Sequence, residues 1–277
     1  MESKEYFQNK IDALAVLAKT HTENDTLVER PIVFRIMGYT KSFLEGKGDS
    51  RMVILYGLRG IGKSTILFQV YERLKRGLIF DTVVESKKIP KENILYLSID
   101  QTLLEGQFDT SKSPILDAIK SFCEDVHGQK IEALNKKLFI MIDEAQFDKN
   151  WTFAAKSIYD RTRNIFLIIT GSSALALNID TDTARRAIKE PLFPLNFMEY
   201  ETMKNRIFPL KGTGIRLKEL ILQGDTSNIP NLNETIKTIK QKMKSKILKW
   251  KMSLLIIYLS VDSLYSSKAL RILYTEN

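Results

Sequence analysis

Gly57-Leu58-Arg59-Gly60-Ile61-Gly62-Lys63-Ser64-Thr65 combines three glycines with cationic and hydroxyl side chains, the residue types that can enclose a phosphate. Glycine lets the backbone curl until successive N–H groups point at one place. A helix opening near Lys63 adds the positive end of its dipole, so the bend is an anion site even before a side chain acts. Lys63 then reaches the β- and γ-phosphates of a nucleotide, and Ser64 offers its hydroxyl to magnesium.

A second set is Asp143-Glu144, two adjacent carboxylates directly after Leu138-Phe139-Ile140-Met141-Ile142. Acids closing so apolar a run are costly unless they are used, and ligands of buried parallel sheets bind at the carboxyl ends of the strands. With a glycine loop upstream, Asp143 reads as the acid that holds the magnesium shell, the role of a Walker B element. Glu144 reads as the base that orients and deprotonates the water attacking the γ-phosphate. A third set is Thr170 and Ser172, small polar residues that close the apolar run Ile165-Phe166-Leu167-Ile168-Ile169.

The elements that must position these residues alternate. Met52-Val53-Ile54-Leu55-Tyr56 leads into the glycine loop as a strand, and Ile66-Leu67-Phe68-Gln69-Val70-Tyr71 leaves it as a helix. Asn93 to Asp100 reads as a second buried strand, followed by a helix that opens at Pro114 with Ser113 as its cap. The runs ending at Asp143 and at Thr170 are the third and fourth strands, and alternation of this kind requires a parallel sheet. Ahead of the core, Ile11, Leu14 and Leu17 form the apolar stripe of a polar helix, and Thr20 to Thr26 reads as loop, with His21 exposed and unpartnered. Pro31 breaks the chain before a helix over Met37 to Leu44, in which Tyr39, Phe43 and Leu44 repeat at helical spacing.

Apolar and charged contents of 44% and 27% are those of a soluble globular protein. No stretch of the sequence approaches the roughly 20 apolar residues needed to cross a bilayer. The start of the chain lacks a basic segment, an apolar run and a small-residue cleavage site in succession, so the expected location is cytoplasmic. Cys123 is alone, which excludes an internal disulfide, and with two histidines it leaves no zinc site of the usual type; it reads as a small buried hydrophobe. The formal charge of +9 is unevenly placed: 14 Lys/Arg against 5 Asp/Glu from Lys204 onward carry all of it, and residues 1–203 balance. A basic region of this kind suits an acidic partner, nucleic acid first, or a solvated lysine-rich helix face.

On these stretches the chain resembles the archaeal-type ATPases of the AAA-like P-loop group, related to STAND signalling ATPases and to archaeal origin-recognition ATPases. The resemblance rests on Arg30 to Arg35, on Gly57 to Thr65 and on Ile142-Asp143-Glu144-Ala145-Gln146 followed by Trp151. Thr170-Gly171-Ser172-Ser173 and Pro194-Leu195-Asn196-Phe197-Met198-Glu199-Tyr200 complete it. The last stretch is similar to the family's Pro-Leu-Ser-Phe-x-Glu-Phe signature, with Asn196 and Tyr200 as departures. The resemblance implies a three-layer α/β P-loop NTPase with a mainly parallel sheet in the order 5-1-4-3-2. The strand ending at Thr170 then lies between the glycine-loop strand and the Asp143 strand, and Thr170 or Ser172 faces the γ-phosphate as a sensor. Arg185-Arg186-Ala187 stands where the family has an arginine followed by glycine, so Arg185 or Arg186 is expected to stabilise transition-state charge, from the same or a neighbouring subunit.

The implied organisation is a helical N-terminal segment over residues 1–50, an ATPase core over 51–203 and a basic helical region over 204–277, serving as a lid or as a C-terminal domain cut short. In that last region Ile236, Ile239, Met243, Ile247, Trp250 and Leu254 recur at helical spacing among lysines from Lys237 to Lys251. The expected function is ATP binding and hydrolysis, with Mg2+, used as a molecular switch. The alternative is a nucleic-acid-associated or regulatory scaffold that binds ATP with little turnover. Expected partners are ATP, nucleic acid through the basic tail and further copies of the chain, with no membrane.

Overall fold

The computed structural model describes residues 3–22, 29–47, 51–79, 82–83, 88–108, 113–172, 180–196 and 199. The chain divides into two compact units, Met1–Pro194 and Leu195–Asn277, and every element named below belongs to the first. The basic helix expected within residues 204–277 lies outside the described residues.

Five strands form one sheet: β1 (Met52–Gly57), β4 (Ile94–Ser98), β5 (Leu138–Asp143), β6 (Ile165–Gly171) and β7 (Ala187–Leu192). Their order is β4-β5-β6-β1-β7 and every neighbouring pair is parallel. Counted in chain order and read from the β7 side, this is the expected 5-1-4-3-2. The short β2 (Leu78–Ile79) and β3 (Thr82–Val83) pair antiparallel in a separate ribbon.

Because every strand runs the same way, helices must carry the chain back over the faces, and both faces are covered. Every residue of β5 and β6 is buried. Alternation sorts them: Ile140, Ile142, Leu167 and Ile169 pack with α5 (Pro114–His127) and α6 (Trp151–Arg161) on one face. Phe139, Met141, Phe166 and Ile168 pack with α2 (Pro31–Leu44) and α3 (Lys63–Arg76) on the other. Burying one such apolar side chain is worth about 1.5–3 kcal/mol. Cys123 lies in the α5 core, fully buried, and burial pushes its thiol up to about 12. Ser113 caps α5 as expected, accepting from Leu116 N at 3.3 Å. Two shorter helices are α4 (Ile99–Glu105), which continues directly from β4, and α7 (Thr181–Arg186).

The N-terminal segment is helical but differs in detail from expectation. α1 (Ser3–Thr22) extends through Thr20 and His21, which the sequence suggests are loop. Its buried stripe is Phe7, Ile11, Leu14 and Ala18, and Leu17 is 39% exposed. Leu14 and Ala18 are four apart and share a face, which turns Leu17 toward solvent. His21 is not unpartnered: its ring stacks on Phe68 with centroids 4.8 Å apart. Phe7 and Ile11 enter one core and Leu14 and Ala18 the other, so α1 spans the β4 edge of the sheet. α2 starts at Pro31 itself, six residues before the expected Met37, because proline at the first helical position costs no hydrogen bond. Among the described residues no helix is long and apolar enough to cross a membrane.

Candidate nucleotide-binding site

The carboxyl ends of the strands share one edge, and the register sets what meets there. Asp143 lies beside Ser98, Thr170 beside Leu55, and Ile142 beside Ile169. β1 enters the glycine loop at Gly57, where a Cβ would stand 2.4 Å from the carbonyl oxygen of Leu192, so only glycine lets β1 and β7 run this close. The loop turns at Gly60 and Gly62, whose φ values of 78° and 96° are left-handed, and α3 follows at once. The first α3 bond runs from Ile66 N to Gly62 O, 3.1 Å. The N–H groups of Lys63, Ser64 and Thr65 precede it, with no helical carbonyl to bond, at the positive end of the helix dipole.

Lys63 is 4% exposed, and its Nζ donates to Gly57 O (3.2 Å) and Leu58 O (3.1 Å). The same ammonium stands 4.0 Å from Glu144 Oε1. Leu58 and Arg59 are exposed at the loop's outer side, whereas Ile61 is tied in through its carbonyl, which accepts from Arg30 at 3.4 Å. Arg30 also donates to Phe193 O at 2.9 Å, fastening the loop to the end of β7.

Asp143 is the hub. Its Oδ2 accepts from Ser64 Oγ at 2.5 Å and from Tyr96 OH at 3.0 Å; its Oδ1 accepts from Thr170 Oγ1 and from Glu144 N at 3.1 Å. Burial and the Asp143 charge hold the Tyr96 phenol above the ordinary range, so Tyr96 stays a donor at any ordinary pH. Glu144 leaves β5 at φ 54°, the sole non-glycine residue with positive φ among the described residues. Such a backbone costs roughly 1–2 kcal/mol, a local strain of the kind that gathers at functional sites.

The two sensor candidates separate. Thr170 is fully buried with its hydroxyl on Asp143, whereas Ser172 contributes its backbone N–H, which Gln146 Oε1 accepts at 3.2 Å. Arg185 and Arg186 are not brought to the loop of their own chain. They close α7 just before Ala187, which pairs with Met52 at the start of β1, and Gly57 pairs with Leu192 at the other end. Five residues of strand separate those ends by about 17 Å. Arg186 pairs instead with Asp160 at 2.9 Å, and Arg185 is exposed.

Sequence reasoning assigned no role to Tyr96, Gln146 or Arg30. Tyr96 carries the weak signal of a hydroxyl in an apolar run; Gln146 and Arg30 carry none beyond the stretches that resemble the family. Asn9-Lys10-Ile11-Asp12 has the spelling that reads guanine in GTPases, but it lies inside α1. There Lys10 pairs with Glu105 at 2.6 Å and Asp12 with Lys91 at 2.9 Å.

A phosphate-wrapping loop between β1 and α3, facing acids on a strand that is not its neighbour, defines a P-loop NTPase domain. The family described as AAA domain matches residues 49–201, more than half of the chain, and the chain belongs to that family, whose members are nucleotide-binding domains. It is 37% identical over 149 residues to the uncharacterized protein MJ1637 of Methanocaldococcus jannaschii, a match covering 54% of this chain and 27% of that one. An uncharacterized protein of Haemophilus influenzae is 26% identical over 172 residues, 60% of this chain and 37% of that one. The chain thus spans between 27% and 37% of the length of these curated relatives. Among solved structures, the Aeropyrum pernix ORC1 protein in complex with DNA is similar with TM-score 0.45 and 15% identity over 70% of this chain and 55% of that one. Domain III of the Thermotoga maritima replication initiation protein DnaA is similar with TM-score 0.41 and 13% identity over 78% and 95%.

Proposed function

We propose that this domain binds ATP with magnesium and hydrolyses it, and that the bound state acts as a switch. The observation that carries the reading is the meeting of Ser64 Oγ with Asp143 Oδ2, 2.5 Å apart across 79 residues of chain, beside Lys63 and Glu144. Backbone N–H groups of the loop and Lys63 take the β- and γ-phosphates. A hydroxyl and a carboxylate in contact are the hard oxygen donors that magnesium prefers, so the residues fit the ion. Ser64 and Asp143 would hold it, and there it would offset phosphate charge. Glu144 accepts the proton of the attacking water, and Thr170 turns its one hydroxyl proton, donated to Asp143 here, toward the charge that develops on the γ-phosphate. The choice of ATP rests on the resemblance to AAA-like ATPases. Given their place at the far edge of the sheet, Arg185 or Arg186 serves this chemistry only from a neighbouring copy.

The test pairs two variants. Lys63→Ala removes the cation that offsets phosphate charge and should abolish nucleotide binding, measured by titration with a fluorescent ATP analogue. Glu144→Gln keeps the shape, should bind ATP as the native chain does, and should lower kcat by about 10²–10⁴ in steady-state phosphate release. Native-rate hydrolysis by Glu144→Gln would remove Glu144 from the role of base.

A further inference from the structure

Gln146 sits at the site with both ends of its amide bonded to protein. Its Nε2 donates to Glu144 Oε2, and its Oε1 accepts from the backbone N–H of Ser172 at 3.2 Å. We propose that Gln146 is a positioning residue, which aims the Glu144 carboxylate at the phosphate loop by bridging it to the backbone that follows β6. The proposal rests on the reading of Glu144 as the base.

The chemistry of the three partners leaves one arrangement. A backbone N–H can only donate and a carboxylate only accept, so the amide must present its oxygen to Ser172 and its NH2 to Glu144. Glutamate at position 146 would lack the donor, lysine would lack the acceptor, and a hydrophobe would lack both. The bridge divides the Glu144 carboxylate, with Oε2 toward Gln146 and Oε1 facing Lys63 at 4.0 Å. Lys63 marks where phosphate is expected, so the bridge leaves the free oxygen on the reacting side.

The bridge also closes a circuit. Thr170, two residues before Ser172, bonds Asp143 Oδ1 and lies 3.4 Å from Glu144 N. From β5 the path runs through Asp143 to Thr170, along the backbone to Ser172, and through Gln146 back to Glu144. Glu144 itself turns out of the strand at φ 54° and its side chain is 26% exposed, so neither the sheet nor packing fixes its direction. A carboxylate on three rotatable bonds needs such a tether to keep one geometry, and misplacing a reacting group by about 1 Å costs about 10²-fold.

The experiment measures kcat, KM and melting temperature for Gln146→Met and Gln146→Glu in the native chain, and for Gln146→Met added to Glu144→Gln. Gln146→Met should lower kcat by about tenfold or more with KM within about twofold. Gln146→Glu keeps the acceptor for Ser172 but faces a carboxylate with a carboxylate, and its kcat should be at least as low. Added to Glu144→Gln, Gln146→Met should change nothing further, because it acts through the base. Native kcat in Gln146→Met, or the same fractional loss in both backgrounds alongside a lower melting temperature, overturns the proposal while leaving Glu144 as the base. A fully active Glu144→Gln chain overturns the reading and the proposal together.

Discussion

At the carboxyl edge of the sheet, Ser64, Tyr96 and Thr170 direct hydroxyls at Asp143, and Lys63 and Gln146 face Glu144. At the amino edge, three polar side chains turn to backbone carbonyls instead. Arg51 donates to Thr162 O and Tyr159 O, Lys137 to Phe43 O (2.7 Å) and Leu44 O (2.8 Å), and Asn164 to Leu134 O (2.6 Å). The bonds of the second kind close turns and helix ends, where a carbonyl without a partner would cost stability. Those of the first kind join side chains from α3, β4, β5, the turn after β5 and β6 around two carboxylates and one ammonium. That places two negative charges beside one positive at little exposure, a poor bargain for stability and a suitable one for a site that takes a divalent cation.

The sharpest way to break this comparison is at Thr170. Thr170→Val keeps the volume and removes the hydroxyl that bonds Asp143, so kcat should fall by about 10² with ATP affinity retained. Ser172→Ala leaves the backbone N–H in place and should stay within about twofold of native kcat. Equal losses from both, in the same phosphate-release assay, would mean that hydroxyl position at this edge does not matter.

Arg51→Met probes the other edge. Arg51 is buried, with its guanidinium 4.1 Å from the Tyr159 ring centroid, and removing it leaves the Thr162 carbonyl bare. Urea unfolding should show a loss of about 2 kcal/mol, with ATP affinity of the folded chain unchanged. A drop in affinity without a drop in stability would dissolve the division between the edges.

The smallest effect is expected at His127, which meets Glu92 O across 3.0 Å near the start of β4. Burial holds this imidazole below its ordinary range, with the Glu92 carbonyl opposing. As pH falls, the unfolded chain therefore takes up the proton first. Stability from the neutral ring is present above the unfolded pKa of about 6.5 and is lost as pH falls toward the folded pKa. His127→Gln should flatten that part of the stability profile, read from melting temperatures between neutral and mildly acid pH, and should leave turnover at neutral pH unaltered.

The sequence by itself determined whatever depends on neighbours along the chain. Gly57 to Thr65 announces its loop because glycine, lysine and serine act within one turn of backbone, and the all-apolar runs of β5 and β6 announce strands buried on both faces. Ser113 ahead of Pro114 is likewise a local device, and it caps α5 as its type suggests. Where a helix face depends on its partners, the sequence misleads: Leu17 and Ala18 are both apolar, and only packing against α3 selects the smaller one for burial. Tertiary structure alone decided which side chains meet at the site. Tyr96 reaches Asp143 across 47 residues because β4 and β5 pair in one register; a slip of one residue would turn it to the opposite face. The same register and strand direction place Arg185 and Arg186 at the start of β7, a full strand away from the loop, although their residue types suited the site. Gln146 has Glu144 two residues away in its own turn, but it gained its second partner, the backbone N–H of Ser172, only when β6 lay beside β5.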